Sequence, residues 1–153
     1  MYIKANDPKL KTWVEIPKDS DFPIQNLPFG VFKTRERNPR MGVAIGEYIF
    51  DLAEAAAHGY MKEMHVNLII FESDSLNPIL ELGKVRLRKL RGIISDLLNA
   101  ETKDLRDNAS HREKILVRMK DAEMLMPVKI GDYTDFYSSI DHATNVGTMF
   151  RDP

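Results

Sequence analysis

At 153 residues, 43% hydrophobic and 29% charged, the chain has the make-up of one soluble globular domain, or of a small domain and the opening of another. Its 22 basic and 23 acidic residues leave a net charge of -1, which gives no bulk attraction to nucleic acid or anionic membrane. With no cysteine, disulfides, thiolate nucleophiles and cysteine-ligated zinc are excluded. The first residues, MYIKANDPKLKTWVEIP, hold no apolar h-region, and the longest apolar run, Val66 to Phe71, is too short to span a bilayer. The cytosol, hence a cytoplasmic protein, is the expected compartment.

The first 30 residues carry Pro8, Pro17, Pro23 and Pro28, which predicts extended chain and turns, with Trp13 to Ile16 as a short strand or an anchoring apolar contact. Gly30 to Thr34 and Met41 to Ile45 flank the turn signal Arg37-Asn38-Pro39-Arg40, the pattern of a β-hairpin. Gly46-Glu47 then turns the chain into a third strand, Tyr48 to Leu52. Three short strands joined by tight turns predict a small antiparallel barrel or meander.

The middle reads as helix. Asp51 is placed to cap Leu52 to Gly59 at its start, and Gly59 to end it. Ser75 to Gly83 predicts another short helix. Lys84 to Ala100 predicts the longest, since Leu87, Leu90, Ile94, Leu97 and Leu98 recur at three- and four-residue spacings. Its basic run KVRLRKLR lies on an amphipathic helix and reads as a solvated face rather than a phosphate-binding patch. Asn108 or Ser110 starts a last helix reaching Arg118, and Met124 to Val128 predicts a strand. His58, His65 and His111 show no metal-ligand spacing and are expected at the surface or at helix caps.

The final 24 residues, Ile130 to Pro153, differ in kind: Asp132, Asp135, Asp141 and Asp152 stand with His142, Arg151, Tyr133 and Tyr137. So many polar groups make poor core, because each needs a partner when buried. The segment is expected to be a loop or strand end presenting chemistry. Asp135 is the type of ligand that a hard cation takes, and His142 the type of base that works near neutral pH. Arg151, after the apolar Met149-Phe150 pair, suits a bidentate clamp on a carboxylate. The competing readings are a turn-capping Asp135, an ordinary surface His142, and an Arg151 ion-paired with Asp141 or Asp152.

The stretch GDYTDFYSSIDHATNVGTMFR (Gly131 to Arg151) closely resembles the signature of the fumarylacetoacetase family, the fumarylacetoacetate hydrolases. SDFPIQNLPFGVF (Ser20 to Phe32) and RMGVAIGEYIFDL (Arg40 to Leu52) are similar to the start of the same family's N-terminal domain. The resemblance implies an α+β, mainly β fold. An SH3-like N-terminal barrel with helices would occupy residues 1–122, and the first strands of an incomplete β-rich catalytic domain residues 123–153. It implies metal-assisted hydrolysis of a carbon–carbon bond in 4-fumarylacetoacetate, a small-molecule diketo acid, to fumarate and acetoacetate, by a homodimer. Asp135 then matches a ligand of Ca2+ or Mg2+, His142 the general base, and Tyr137 and Arg151 substrate-binding positions. The remaining ligands and the acid that orients the histidine would lie downstream, so this chain alone is expected to be inactive. Two other readings stay open: a superfamily relative such as an acylpyruvate hydrolase or decarboxylase, and a non-catalytic interaction module.

Overall fold

A computed structural model describes residues 3–151. Strands β1 (Phe29–Lys33), β2 (Arg40–Ile45) and β3 (Tyr48–Asp51) form the expected antiparallel meander, with Gly30 opposite Gly42 and Ala44 opposite Ile49. The two-residue turn between β2 and β3 needs a left-handed residue first, and Gly46 supplies it at φ 56°. A side chain there would also meet the Glu15 carbonyl at 2.8 Å. Two further strands, β4 (Leu116–Arg118) beside β3 and β5 (Glu123–Leu125) beside β1, give the order β4-β3-β2-β1-β5.

β4 and β5 are the two edges of this sheet, yet only a 3-10 turn at Met119–Asp121 and Ala122 join them. That connection reaches roughly 13 Å, whereas four flat strand spacings need about 19 Å. The sheet therefore curls into a half-barrel with two unlike faces. Val31, Met41, Val43, Ile45 and Phe50 point outward into the main hydrophobic core, against the helices. Gly30, Phe32, Gly42, Ala44, Ile49 and Met124 face inward by strand alternation. Phe32 and Ile49 are buried there apart from the main core. Phe22, Phe29, Met119 and Met124 complete the lining of an apolar cavity of about 360 Å³ on that inner side.

The β3–β4 connection holds most of the helix. Asp51 caps α1 (Leu52–Ala57) by accepting the Glu54 N–H at 3.0 Å, and the helix ends as expected at Gly59, φ 85°. The Gly59 N–H bonds the Ala56 carbonyl and the Tyr60 N–H the Ala55 carbonyl, both at 2.9 Å, the paired closure of a Schellman motif. The short α2 (Asn77–Leu80) has Pro78 in its first turn, and α3 (Gly83–Leu98) buries Leu90, Ile94, Leu97 and Leu98. Trp13 is an anchor more than a strand: its indole N–H donates to the Leu97 carbonyl at 2.9 Å, beside an isolated bridge from Thr12 to Asn99. No helix among the described residues is long and apolar enough to cross a membrane.

Two expectations are corrected. Helix outweighs strand, so the fold is mixed α+β rather than mainly β, because α1 to α4 are all inserted between β3 and β4. The last predicted helix, α4 (Ala109–Ile115), is capped by Asn108 as expected but stops short of Arg118. Leu116, Val117 and Arg118 pair instead with Phe50, Ile49 and Tyr48, since an open sheet edge satisfies their backbone groups. β5 pairs with β1 and so belongs to the same sheet as the other four strands.

Candidate functional site

The polar segment leaves the fold through three ties at α2. The Leu76 N–H bonds the Pro127 carbonyl at 2.7 Å, Asn77 and Lys129 exchange side-chain and backbone hydrogen bonds at 2.9 and 3.0 Å, and Lys129 pairs with Asp74 at 2.8 Å. Beyond Lys129 the chain makes only hydrogen bonds internal to itself among the described residues. The expected loop or strand end is instead partly helical. Residues 130–139 are irregular, and α5 (Ile140–Phe150) starts where the Ser139 hydroxyl accepts the His142 N–H at 3.4 Å. The serine supplies the cap, and Ala143, Val146 and Gly147 fall on one partly covered stripe.

Of the four sequence-predicted site residues, the structure brings two together. The Tyr137 and His142 rings lie 5.2 Å apart between centroids, tilted by 45°. Neither ring carries a hydrogen bond among the described residues, so the imidazole nitrogens face solvent. Asp135 is exposed on the irregular stretch and caps nothing. Arg151 follows α5, its N–H bonding the Gly147 carbonyl at 3.0 Å, and forms no ion pair among the described residues. Asp152 lies outside them. His142 and Arg151 are nine positions apart, about 14 Å along the helix axis, so one small substrate could touch both only by spanning the helix. Tyr133, Phe136, Ile140 and Phe150 are all more than 80% exposed, leaving a conspicuous uncovered apolar surface around the polar residues.

The folded half holds two polar clusters. The carboxylate of Asp51 is fully buried yet lies 2.7 Å from Arg37 and 3.6 Å from Arg40, and Arg40 reaches Glu54 at 3.7 Å. Burial pushes its pKa up from the ordinary carboxylate value, while the Glu54 N–H and the two guanidiniums pull it back. The capping role was legible in the sequence; the arginine partners were not, because they arrive from the β1–β2 turn. In the second cluster His58 is the helix cap expected, and the sequence did not show that it meets His111. His58 ends α1 and His111 begins α4, yet their rings meet edge to face at 4.3 Å, with the Tyr60 hydroxyl 2.8 Å from His111 Nδ1. His65 does cap a turn, at φ 50°.

A bound divalent cation needs several oxygen ligands, six to eight for calcium. Among the described residues no three His, Cys, Asp or Glu side chains group as a metal site. Asp135 on its own does not make one.

Comparison with known proteins supplies the context. A family profile described as Fumarylacetoacetase N-terminal matches residues 25–127, more than half of the chain. A fumarylacetoacetase from Dictyostelium discoideum is 46% identical over 143 residues, covering 93% of this chain and 34% of the relative. One from Caenorhabditis elegans is 47% identical over 143 residues, with the same 93% and 34% coverage. The human fumarylacetoacetase is 42% identical over 144 residues, 92% of this chain and 34% of its own length. The chain thus spans about a third of the length of the relatives it matches.

Proposed function

Because this chain belongs to the fumarylacetoacetase family, which it matches through the N-terminal part, we propose that it is the N-terminal portion of a fumarylacetoacetase and does not complete an active site alone. The observation that carries this reading is similarity at more than 40% identity along nine-tenths of the chain, against a third of each relative. The complete enzyme would be a cytoplasmic homodimer that cleaves the carbon–carbon bond of 4-fumarylacetoacetate to fumarate and acetoacetate, acting on neither nucleic acid nor membrane. Residues 1–122 would be its N-terminal domain, and 123–153 the lead-in to the catalytic one, its first strand lent to the N-terminal sheet. The strand order, with β5 returning to β1 after a 3-10 turn, supports the SH3-like reading of that sheet.

The residues divide the chemistry as follows. His142, held at the start of a helix and open to solvent, would take a proton from water so that the oxygen can attack a carbonyl of the diketone. Tyr137, against the same imidazole, would present its hydroxyl to a substrate oxygen. Arg151 would hold a terminal carboxylate through paired N–H donors, so that attack becomes effectively intramolecular. Asp135 would give one oxygen ligand to Ca2+ or Mg2+. Such a cation supplies Lewis acidity for the departing enolate, but the described residues do not assemble its site, and no step here runs through it.

In a chain extended to the length of its relatives, His142→Ala should lower turnover of fumarylacetoacetate by at least a hundredfold and leave cation binding, read by calorimetry, unchanged. Retained turnover would remove His142 from the role of base.

A further inference from the structure

The contact between His58 and His111 ties two elements that are distant in sequence. His58 sits at the close of α1, where its Nδ1 lies 2.9 Å from the Glu54 carbonyl. The carbonyl can only accept, so Nδ1 carries the proton, and this ring is held with its tautomer fixed. Tyr60, two residues on, is turned toward α4 by the Schellman closure. Its hydroxyl lies 2.8 Å from His111 Nδ1 and 3.3 Å from the Asp104 carbonyl. A neutral His111 whose proton is on Nε2 accepts the tyrosine proton at Nδ1. A protonated one must donate there, and the Asp104 carbonyl stands ready to take the hydroxyl proton instead. The hydrogen bond to Tyr60 therefore survives protonation; the face-to-edge contact with His58 is what suffers.

We propose that His58 and His111 form an acid-sensitive clasp that holds the end of α1 to α4, and with it the edge strand β4, at neutral pH and loosens it in mild acid. Strand β4 begins at Leu116, directly after α4 ends at Ile115, so a displaced α4 pulls on the pairing of β4 with β3. The charged and titratable groups around the rings come from every neighbouring element: Glu54 on α1, whose carboxylate is 3.9 Å from His58 Nδ1; Tyr60 and Asp104 from the connecting loops; and Lys114 on α4. The Glu54 carboxylate lies on the His58 side of the pair, whereas His58 and Lys114 both oppose a positive charge on His111.

Partial burial, followed by the charges of His58 and Lys114, holds the His111 pKa below the ordinary imidazole value of 6.5. The sign follows from linkage: below 6.5 the unfolded chain takes up a proton that the folded one resists, so the stability of the clasp is complete above 6.5 and is lost as pH falls toward the folded value.

The test is imidazole NMR titration of the 153-residue chain, with amide hydrogen exchange across α4 and β4 corrected for the intrinsic rate at each pH. His111 should titrate below a free imidazole, and His58→Gln, which keeps a donor for the Glu54 carbonyl, should raise its midpoint. Protection of residues 115–118 should fall at least tenfold between pH 7.5 and 5.5 in the native chain, and should not change in His111→Phe. A native chain whose protection at 115–118 is constant over that range overturns the proposal. So does a His111 midpoint that His58→Gln leaves in place.

Discussion

Asp51 shows how one side chain settles several levels of the fold. It ends β3, starts α1 by capping Glu54, and pins the β1–β2 turn through Arg37, all from a fully buried position. Removing one partner of a buried ion pair leaves the others uncompensated, which costs far more than losing an exposed pair. Asp51→Ala should destabilise the chain by about 3 kcal/mol, seen as a lower urea midpoint. Asp51→Asn should cost less, because the amide oxygen still caps α1. Equal losses for both would show that the cap adds nothing. Exposed pairs such as Lys4 with Asp96 at 2.7 Å carry little by comparison.

At the level of elements, two glycines of opposite character make the packing testable. Gly42 lies at the crowded inner face of β2, where an added Cβ would sit 2.4 Å from Ile49 Cγ2 and 2.8 Å from Phe32 Cε1. Gly42→Ala should therefore cost roughly 1–3 kcal/mol through overpacking. Gly92 lies inside α3 with nothing within 4 Å of an added Cβ, so Gly92→Ala should add about 0.5–1 kcal/mol by restricting the unfolded chain. Paired thermal melts of the two variants check both signs. The meander, the caps of α1 and the leucine stripe of α3 were legible in the sequence because each rests on local pattern: strand alternation, Asp and Gly at helix ends, and a repeat of three to four residues. β4 was not, since Leu116 to Arg118 continue a helical composition and become strand only because the edge of β3 lies beside them. α5 was missed for the opposite reason. Its polarity argued for a loop, while Ser139 supplied a cap that outweighed it.

Across the whole molecule, chemistry and folding are separated along the chain. The core, the sheet and both polar clusters lie before Lys129, whereas Asp135, Tyr137, His142 and Arg151 all lie beyond the last tertiary tie. The sequence identified the four candidate residues by type, and the structure brings only Tyr137 and His142 into contact. Whether side chains from different elements share a site depends on long-range packing, which local pattern does not encode, so the residue types were legible and their arrangement was not. Tyr133, Phe136, Ile140 and Phe150 are exposed beside them, an apolar surface of a size that marks interaction sites.

The proposed reading, an N-terminal portion of a fumarylacetoacetase that does not complete a site alone, is open to direct assay. The direct measurement is the loss of diketone absorbance of fumarylacetoacetate, with calcium or magnesium added, for this chain and for one extended to the length of its relatives. Turnover is expected from the extended chain alone. Turnover by the 153-residue chain would contradict the incomplete site, and silence in a folded, metal-loaded extended chain would contradict the substrate.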